Sequence, residues 1–118
     1  MPSHVLIVDD HPGFRRLARR FLEDAGYSVI GEASTGAEAI LEAARLKPDI
    51  VLLDIQLPDS DGFAVATSIS SLARPPTIIL VSSRDSSDYG PRLGGCGALG
   101  FISKADLSSD SLRLMLRR

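Results

Sequence analysis

Asp49-Ile50-Val51-Leu52-Leu53-Asp54 is followed at once by Ile55-Gln56-Leu57-Pro58-Asp59-Ser60-Asp61-Gly62, so that an apolar run gives way abruptly to turn-forming and acidic residues. Residues 50–53 are apolar without a break. A strand covered on both faces reads as such a run, whereas a strand with one wet face alternates. The run ends in a carboxylate, which is costly at the tip of a buried strand unless something there uses it. A second run, Val5-Leu6-Ile7-Val8, ends the same way, in Asp9-Asp10. If the two strands are neighbours, three carboxylates meet at one edge of a sheet.

Working outward, strands are expected at residues 5–8, 28–33, 50–53, 77–81 and 99–102. Segments of helical period separate them. That alternation predicts an α/β fold, a doubly wound parallel sheet with helices on both faces. The strand at 28–33 carries Ser28 and Glu32 and reads as an edge.

The first helix shows Phe14, Leu17, Ala18, Phe21, Leu22 and Ala25 at helical spacing, with Pro12 in its first turn and Gly26 at its stop. Arg15, Arg16, Arg19 and Arg20 fall on its other face and read as a solvated surface, one that also suits docking of a phosphodonor protein. The second helix opens with Thr35 and Glu38 at capping-box spacing and ends before Pro48; Ala37, Ile40, Leu41 and Ala44 are expected inside. The third spans about 62–72 and turns Val65, Ala66, Ile69 and Leu72 inward. The last runs from about residue 108 to the C-terminus on Leu112, Met115 and Leu116.

Residues 86–97 break this regularity. A helix is due between the fourth and fifth strands, yet Gly90, Pro91, Gly94, Gly95 and Gly97 lie there. An interior Gly costs about 1 kcal/mol relative to Ala and an interior Pro about 3. A short or irregular fourth helix is expected, with Pro91 in a first turn, and this face is expected to be mobile.

With 118 residues, 44% of them hydrophobic, the chain suits one domain with a sizeable core. A net charge of −2 gives no basic footprint for nucleic acid, which favours a catalytic or regulatory module. Cys96 is the sole cysteine, so no internal disulfide forms; a reducing cytoplasm is the expected setting, and Cys96 is expected to be structural. Met1-Pro2-Ser3-His4 is too short and polar for a signal peptide, and no apolar run approaches the roughly 20 residues of a membrane span.

In an open parallel sheet, sites form beyond the carboxyl ends of the strands. Asp9 and Asp10 follow the first strand, Asp54 ends the third, Ser82 and Ser83 follow the fourth, and Ser103 and Lys104 follow the fifth. Three close carboxylates repel each other unless a cation sits among them. An oxygen-rich donor set favours a hard divalent ion, most simply Mg²⁺. With the Ser82 hydroxyl and the Lys104 ammonium, the set suits stabilisation of a transferring phosphoryl group, with Asp54 as nucleophile. Taken singly, Lys104 reads as a surface lysine and Ser82 as a common hydroxyl after a strand. Asp9 or Asp10 could equally cap the first helix. Their shared position at the strand ends is what promotes them.

Val5-Leu6-Ile7-Val8-Asp9-Asp10-His11-Pro12, Lys47-Pro48-Asp49 leading to Leu52-Leu53-Asp54, Leu57-Pro58, Asp61-Gly62, Ser82 and Gly100-Phe101-Ile102-Ser103-Lys104 together resemble the receiver domain of two-component response regulators. The resemblance covers the whole chain. Asp9-Asp10-His11-Pro12, Gly31-Glu32-Ala33 and Gly100-Phe101-Ile102-Ser103-Lys104 look most like the branch with a LuxR-type helix-turn-helix output. The resemblance implies a flavodoxin-like five-stranded sheet of order 2-1-3-4-5. It implies that Asp54 is the phospho-acceptor and that Asp9, Asp10, Asp54 and the Gln56 carbonyl hold Mg²⁺. It makes Ser82 and Phe101 the switch residues and Lys104 the partner of the phosphoryl oxygens. His11 has no catalytic role in that family.

A histidine kinase or a histidine phosphotransfer protein is the implied partner, a homodimer is left open, and no membrane contact is expected. Residues 1–118 are expected to form one receiver domain without an output domain, so DNA is contacted only through an output domain that this chain lacks. The chain is expected to be no enzyme beyond catalysing its own phosphorylation and dephosphorylation, with Gln56 and Arg84 placed to shield or orient water. One departure is Ala105 after Lys104, where many receivers have proline, which disfavours a cis peptide.

Three other functions were weighed against these residues. A haloacid-dehalogenase-type phosphatase wants a second Asp two positions after the nucleophile, where this chain has Gln56. A flavodoxin-like nucleotide binder wants a neutral phosphate loop after the first strand, where Asp9-Asp10 repel phosphate. The alternative kept is a degenerate receiver acting as a phosphorylation-independent binding module.

Overall fold

The apolar run at 50–53 forms the middle of the sheet. In a computed structural model, which describes residues 3–117, strands β1 (His4–Val8), β2 (Ser28–Ala33), β3 (Ile50–Asp54), β4 (Thr77–Ser82) and β5 (Gly100–Ser103) are all parallel, in the order β2-β1-β3-β4-β5. Met1 and Pro2, part of the segment read as too short for a signal peptide, and Arg118, the last residue of the expected final helix, lie outside the described residues. Helices are α1 (Pro12–Asp24), α2 (Gly36–Leu46), α3 (Gly62–Ser70) and α4 (Ser109–Leu116). Among the described residues no helix is long and apolar enough to cross a membrane.

Each strand of the sheet's middle feeds both faces. Leu6, Val8, Val51, Leu53 and Leu80 meet α2 and α3 on one side, and Val5, Ile7, Leu52 and Val81 meet α1 and α4 on the other. All nine are fully buried, worth about 1.5–3 kcal/mol per side chain against exposure. Asp54 and Ser82 are the last residues of β3 and β4, so each strand runs one residue further than a break at the first polar residue implies. The reason is pairing: Asp54 is matched to Val81, and Ser82 to Ser103.

The ends of α1 follow the sequence, with Pro12 in the first turn and Gly26 at φ 94° just past its end. Its N-cap is His11, without a side-chain cap, so neither Asp9 nor Asp10 caps this helix. Its arginines are corrected in part. Arg15 and Arg19 both bind Glu32 on β2, at 2.8 and 2.7 Å, while Arg16 and Arg20 are exposed as expected. The Arg19 hydrogen bond, helped by Arg15, holds the Glu32 carboxyl below its ordinary range. Leu17, expected inside, is 43% exposed.

The inward face of α2 also differs from expectation. Gly36, Ala39 and Ala43 are buried, while Ala37, Leu41 and Ala44 are exposed, Leu41 to 70%. Apolar residues surround this helix, so periodicity admits more than one stripe. Packing selects the smallest: α2 lies so close to β2 that a Cβ on Gly31 would stand 2.6 Å from Leu46 Cδ1. The Thr35 hydroxyl accepts from Glu38 N as the capping spacing predicts, but the Glu38 carboxylate reaches back to Ser34 N, one residue further. α3 buries Val65, Ala66 and Ile69 as expected but ends at Ser70, so Leu72 lies past it and is half-buried; α4, behind a Ser108–Ser111 capping box, buries Leu112 and leaves Met115 and Leu116 half-buried against the core. The peptide bonds among the described residues are all trans.

Two short 3-10 turns, Ser86–Asp88 and Gly90–Gly94, stand where a fourth crossover helix was due. Pro91 falls in the first turn of the second, as expected. Its backbone bonds are long: Arg92 N to Tyr89 O is 3.4 Å and Gly95 N to Arg92 O is 3.3 Å.

Candidate functional site

β1 and β3 are neighbours with Val8 opposite Leu53, so the residues that follow both strands share one edge. Asp9 is fully buried and Asp54 is 2% exposed. Oxygens of Asp9, Asp10 and Asp54 and a ring nitrogen of His11 all lie within 4.8 Å of one another. β4 and β5 bring Ser82 and Lys104 to the same end of the sheet.

Asp9 divides its two oxygens. Oδ1 accepts from the His11 backbone N–H at 2.8 Å, which fixes the turn into α1. Oδ2 faces the Lys104 ammonium at 2.7 Å, without the alignment of a hydrogen bond. Arg15 Nη1 donates to the Asp9 carbonyl at 2.6 Å and ties the acidic edge to α1. Asp10 is half-buried, and its Oδ1 has no hydrogen-bond partner. The Asp10 Oδ1 left without a donor, beside the Asp9 and Asp54 carboxylates, is what a cation would satisfy, so the residues fit a divalent metal. The donors are carboxylates with one imidazole 3.2 Å from Asp9 and Asp10, a set that suits a hard ion.

Asp54 Oδ1 accepts from Gln56 N at 3.1 Å and Oδ2 lies 3.5 Å from Lys104 Nζ. Burial pushes its carboxyl up to about 6 and the Asp9 charge adds to this, while the Gln56 N–H and Lys104 oppose it. The group is therefore mostly ionised at neutral pH, yet more basic and less solvated than an ordinary aspartate. The Lys104 ammonium also lies 4.2 Å over the Phe14 ring, which steadies it from the α1 side.

The loop after Asp54 is held from below. Gly62 passes so close to β3 that a Cβ there would stand 2.5 Å from Ile55 Cα and 2.6 Å from Asp54 O. Asp61 caps α3 through Phe63 N. Asp59 reaches the first turn of α2, accepting from Gly36 N at 2.7 Å and Ala37 N at 3.1 Å, and those bonds hold its carboxyl below the usual range. Sequence reasoning assigned Asp59 no role, and this tie joins residues 23 positions apart, which no local pattern reveals.

Ser82 is fully buried, and its Oγ lies 2.6 Å from the Tyr89 hydroxyl while accepting from Arg84 N at 3.1 Å. Tyr89 also packs edge-on to Phe63 at 5.5 Å and beside Phe101 at 6.0 Å. Sequence reading passed over Tyr89 because it lies in an aperiodic glycine-rich stretch. The expected residues Asp9, Asp10, Asp54 and Lys104 are brought together, and Ser82 and Phe101 are joined through Tyr89. The Gln56 side chain is exposed, as is Arg84, and Cys96 is buried as expected.

The chain matches the family model of the response regulator receiver domain over residues 5–117. It is 36% identical to the virulence-factor transcription regulator BvgA of Bordetella pertussis over 88% of this chain and 50% of that one. It is 33% identical to the transcriptional regulatory protein PdtaR of Mycobacterium tuberculosis, over 93% of this chain and 53% of that one. The chain thus spans about half the length of these relatives. The structure of a LuxR-family two-component response regulator from Aurantimonas superposes with a TM-score of 0.86 at 28% identity, covering 97% of this chain and 81% of that one.

Proposed function

The chain belongs to the response regulator receiver domain family, and on that premise we propose that it is a phosphorylation switch in two-component signalling whose phospho-acceptor is Asp54. The observation that carries the reading is the environment of Asp54: 2% exposed, beside Asp9, with Lys104 Nζ at 3.5 Å. A desolvated carboxylate that stays ionised at neutral pH is a nucleophile placed where its attack is not quenched by water.

Asp9, Asp10 and Asp54, with the Gln56 carbonyl, would hold Mg²⁺. When bound, the ion supplies positive charge against the phosphoryl oxygens and relieves the repulsion among the acids. An Asp54 oxygen attacks the phosphorus of a phosphohistidine on a histidine kinase or phosphotransfer protein. The new O–P bond forms as the N–P bond breaks, and the imidazole leaves. Lys104 supplies an ammonium to one equatorial oxygen and Ser82 its hydroxyl proton to another. Hydrolysis of the aspartyl-phosphate resets the chain, which acts on no other substrate.

The output is transcriptional, as in the relatives it resembles, exerted through a DNA-binding segment outside these 118 residues, with residues 1–118 forming one receiver domain. Incubation with Mg²⁺ and acetyl phosphate should add about one phosphoryl group by mass spectrometry. The adduct should vanish in Asp54→Asn and in excess EDTA. No adduct under any Mg²⁺ or donor condition would favour a phosphorylation-independent binding module instead.

A further inference from the structure

We propose that Tyr89 is a positioning residue for Ser82: its hydroxyl retains Ser82 before phosphorylation and couples the state of Asp54 to the order of residues 86–94. The inference rests on the reading of Ser82 as a phosphoryl-binding hydroxyl.

Tyr89 and Arg92 fasten the segment, with Leu93 packed against the core between Gly90 and Gly94. On the inside, the Tyr89 hydroxyl meets the fully buried Ser82 Oγ at 2.6 Å, and its ring sits between Phe63 and Phe101. On the outside, Arg92 stacks 4.3 Å from the centre of the Phe63 ring and pairs with Asp61, the N-cap of α3. The backbone adds little, since its own bonds there are 3.3 and 3.4 Å long. Gly90 takes φ 58°, and a Cβ on Gly90, Gly94 or Gly95 would meet nothing within 4 Å. Side chains, chiefly Tyr89, therefore hold the segment in place.

A serine hydroxyl has one proton to donate. A phosphoryl oxygen is charged, and hydrogen bonds to charged acceptors are about twice as strong as neutral ones. Either hydroxyl can donate in the Ser82–Tyr89 pair, so the bond is broken by movement: a change of Ser82 rotamer that brings Oγ to the phosphoryl group carries it out of reach of the Tyr89 hydroxyl and leaves that hydroxyl without its partner. A part-buried phenol in that state favours conformations in which it reaches water. The 86–94 segment loosens, and Phe101, against which Tyr89 packs, loses a neighbour.

Tyr89→Phe keeps the ring and deletes the hydroxyl. In the unphosphorylated chain, amide exchange over 86–94 should speed up by about fivefold, the value of one net hydrogen bond. Phosphorylation by acetyl phosphate with Mg²⁺ should accelerate by a similar factor, because no Ser82–Tyr89 bond has to be broken. In a Ser82→Ala background the same change should alter the phosphorylation rate little. Equal exchange and equal rates in Tyr89→Phe and wild type, a slower variant, or an acceleration that persists without the Ser82 hydroxyl would each overturn the proposal. A wild-type chain that forms no adduct sinks the reading of the site itself, and this inference with it. A normal adduct with unaltered Tyr89→Phe kinetics sinks the inference alone.

Discussion

The Lys104 ammonium lies 2.7 Å from Asp9 Oδ2, closer than the 3.5 Å that separates it from Asp54. Its principal counter-charge is thus the fully buried acid that follows β1, and Asp54 receives the lesser share. A lysine so placed balances the acidic edge, in addition to the phosphoryl-binding role proposed for it.

Lys104→Gln should therefore lower stability as well as phosphorylation. Removing one partner of a buried ion pair costs about 3 kcal/mol. Urea unfolding in EDTA should show a loss of that order, and saturating Mg²⁺ should recover part of it. Unchanged stability would mean that water already screens Asp9.

Asp54 makes stability depend on pH. Its carboxyl stands at about 6 in the folded chain against an ordinary 3.8, so between these values the folded state binds more protons than the unfolded one. By linkage the contribution is greatest at acid pH and is lost as pH rises through about 6. The full difference is about 3 kcal/mol at most. In EDTA at pH 8, Asp54→Asn should be the more stable protein, and its advantage should fade toward pH 4. A wild type that is the more stable of the two at pH 8 would contradict this.

Two glycines should respond oppositely to alanine. At Gly62 a Cβ would run into the backbone of Ile55 and Asp54, which cannot give way without moving the loop that follows β3. Gly62→Ala should cost about 3 kcal/mol. At Gly94 a Cβ meets nothing within 4 Å, and Gly94→Ala should gain about 0.5 kcal/mol by restricting the unfolded chain. Thermal denaturation of both variants measures the contrast.

Residues 86–94 should exchange their amide hydrogens faster than α1, α2 or α3. Short 3-10 turns with long hydrogen bonds open at low cost. Protection there equal to that of the helices would remove the physical basis for placing the mobile face on this side.

What could be read from residue order alone follows the physics of each feature. The runs at 5–8 and 50–53, and the one at 77–81 that is apolar after Thr77, are too short for helices between turn residues and read as strands covered on both faces, which they are. The acidic cluster was legible because strand tips in a parallel sheet converge by topology, which places Asp9 beside Asp54. α2 was misread because alanines on every side make its apolar stripe ambiguous, and only the close approach to β2 at Gly31 selects Ala39 and Ala43 over Leu41. Arg15, Arg19, Asp59 and Tyr89 act through single side-chain contacts to distant residues. Such contacts leave no periodic trace in a sequence.

The tie from Asp59 to the first turn of α2, with Gly62 pressed against β3, gives the two sides of the acidic edge unequal stiffness. On the Asp54 side, backbone meets backbone and a capped helix braces the loop. On the Ser82 side, the neighbouring chain is short turns and glycines in open space. Under a push at Asp54 felt by both walls, each wall is displaced in inverse proportion to its stiffness, so displacement concentrates toward β4 and β5. The anchoring of the loop after Asp54 thus acts as a fulcrum: by refusing to yield, it gives any movement a direction.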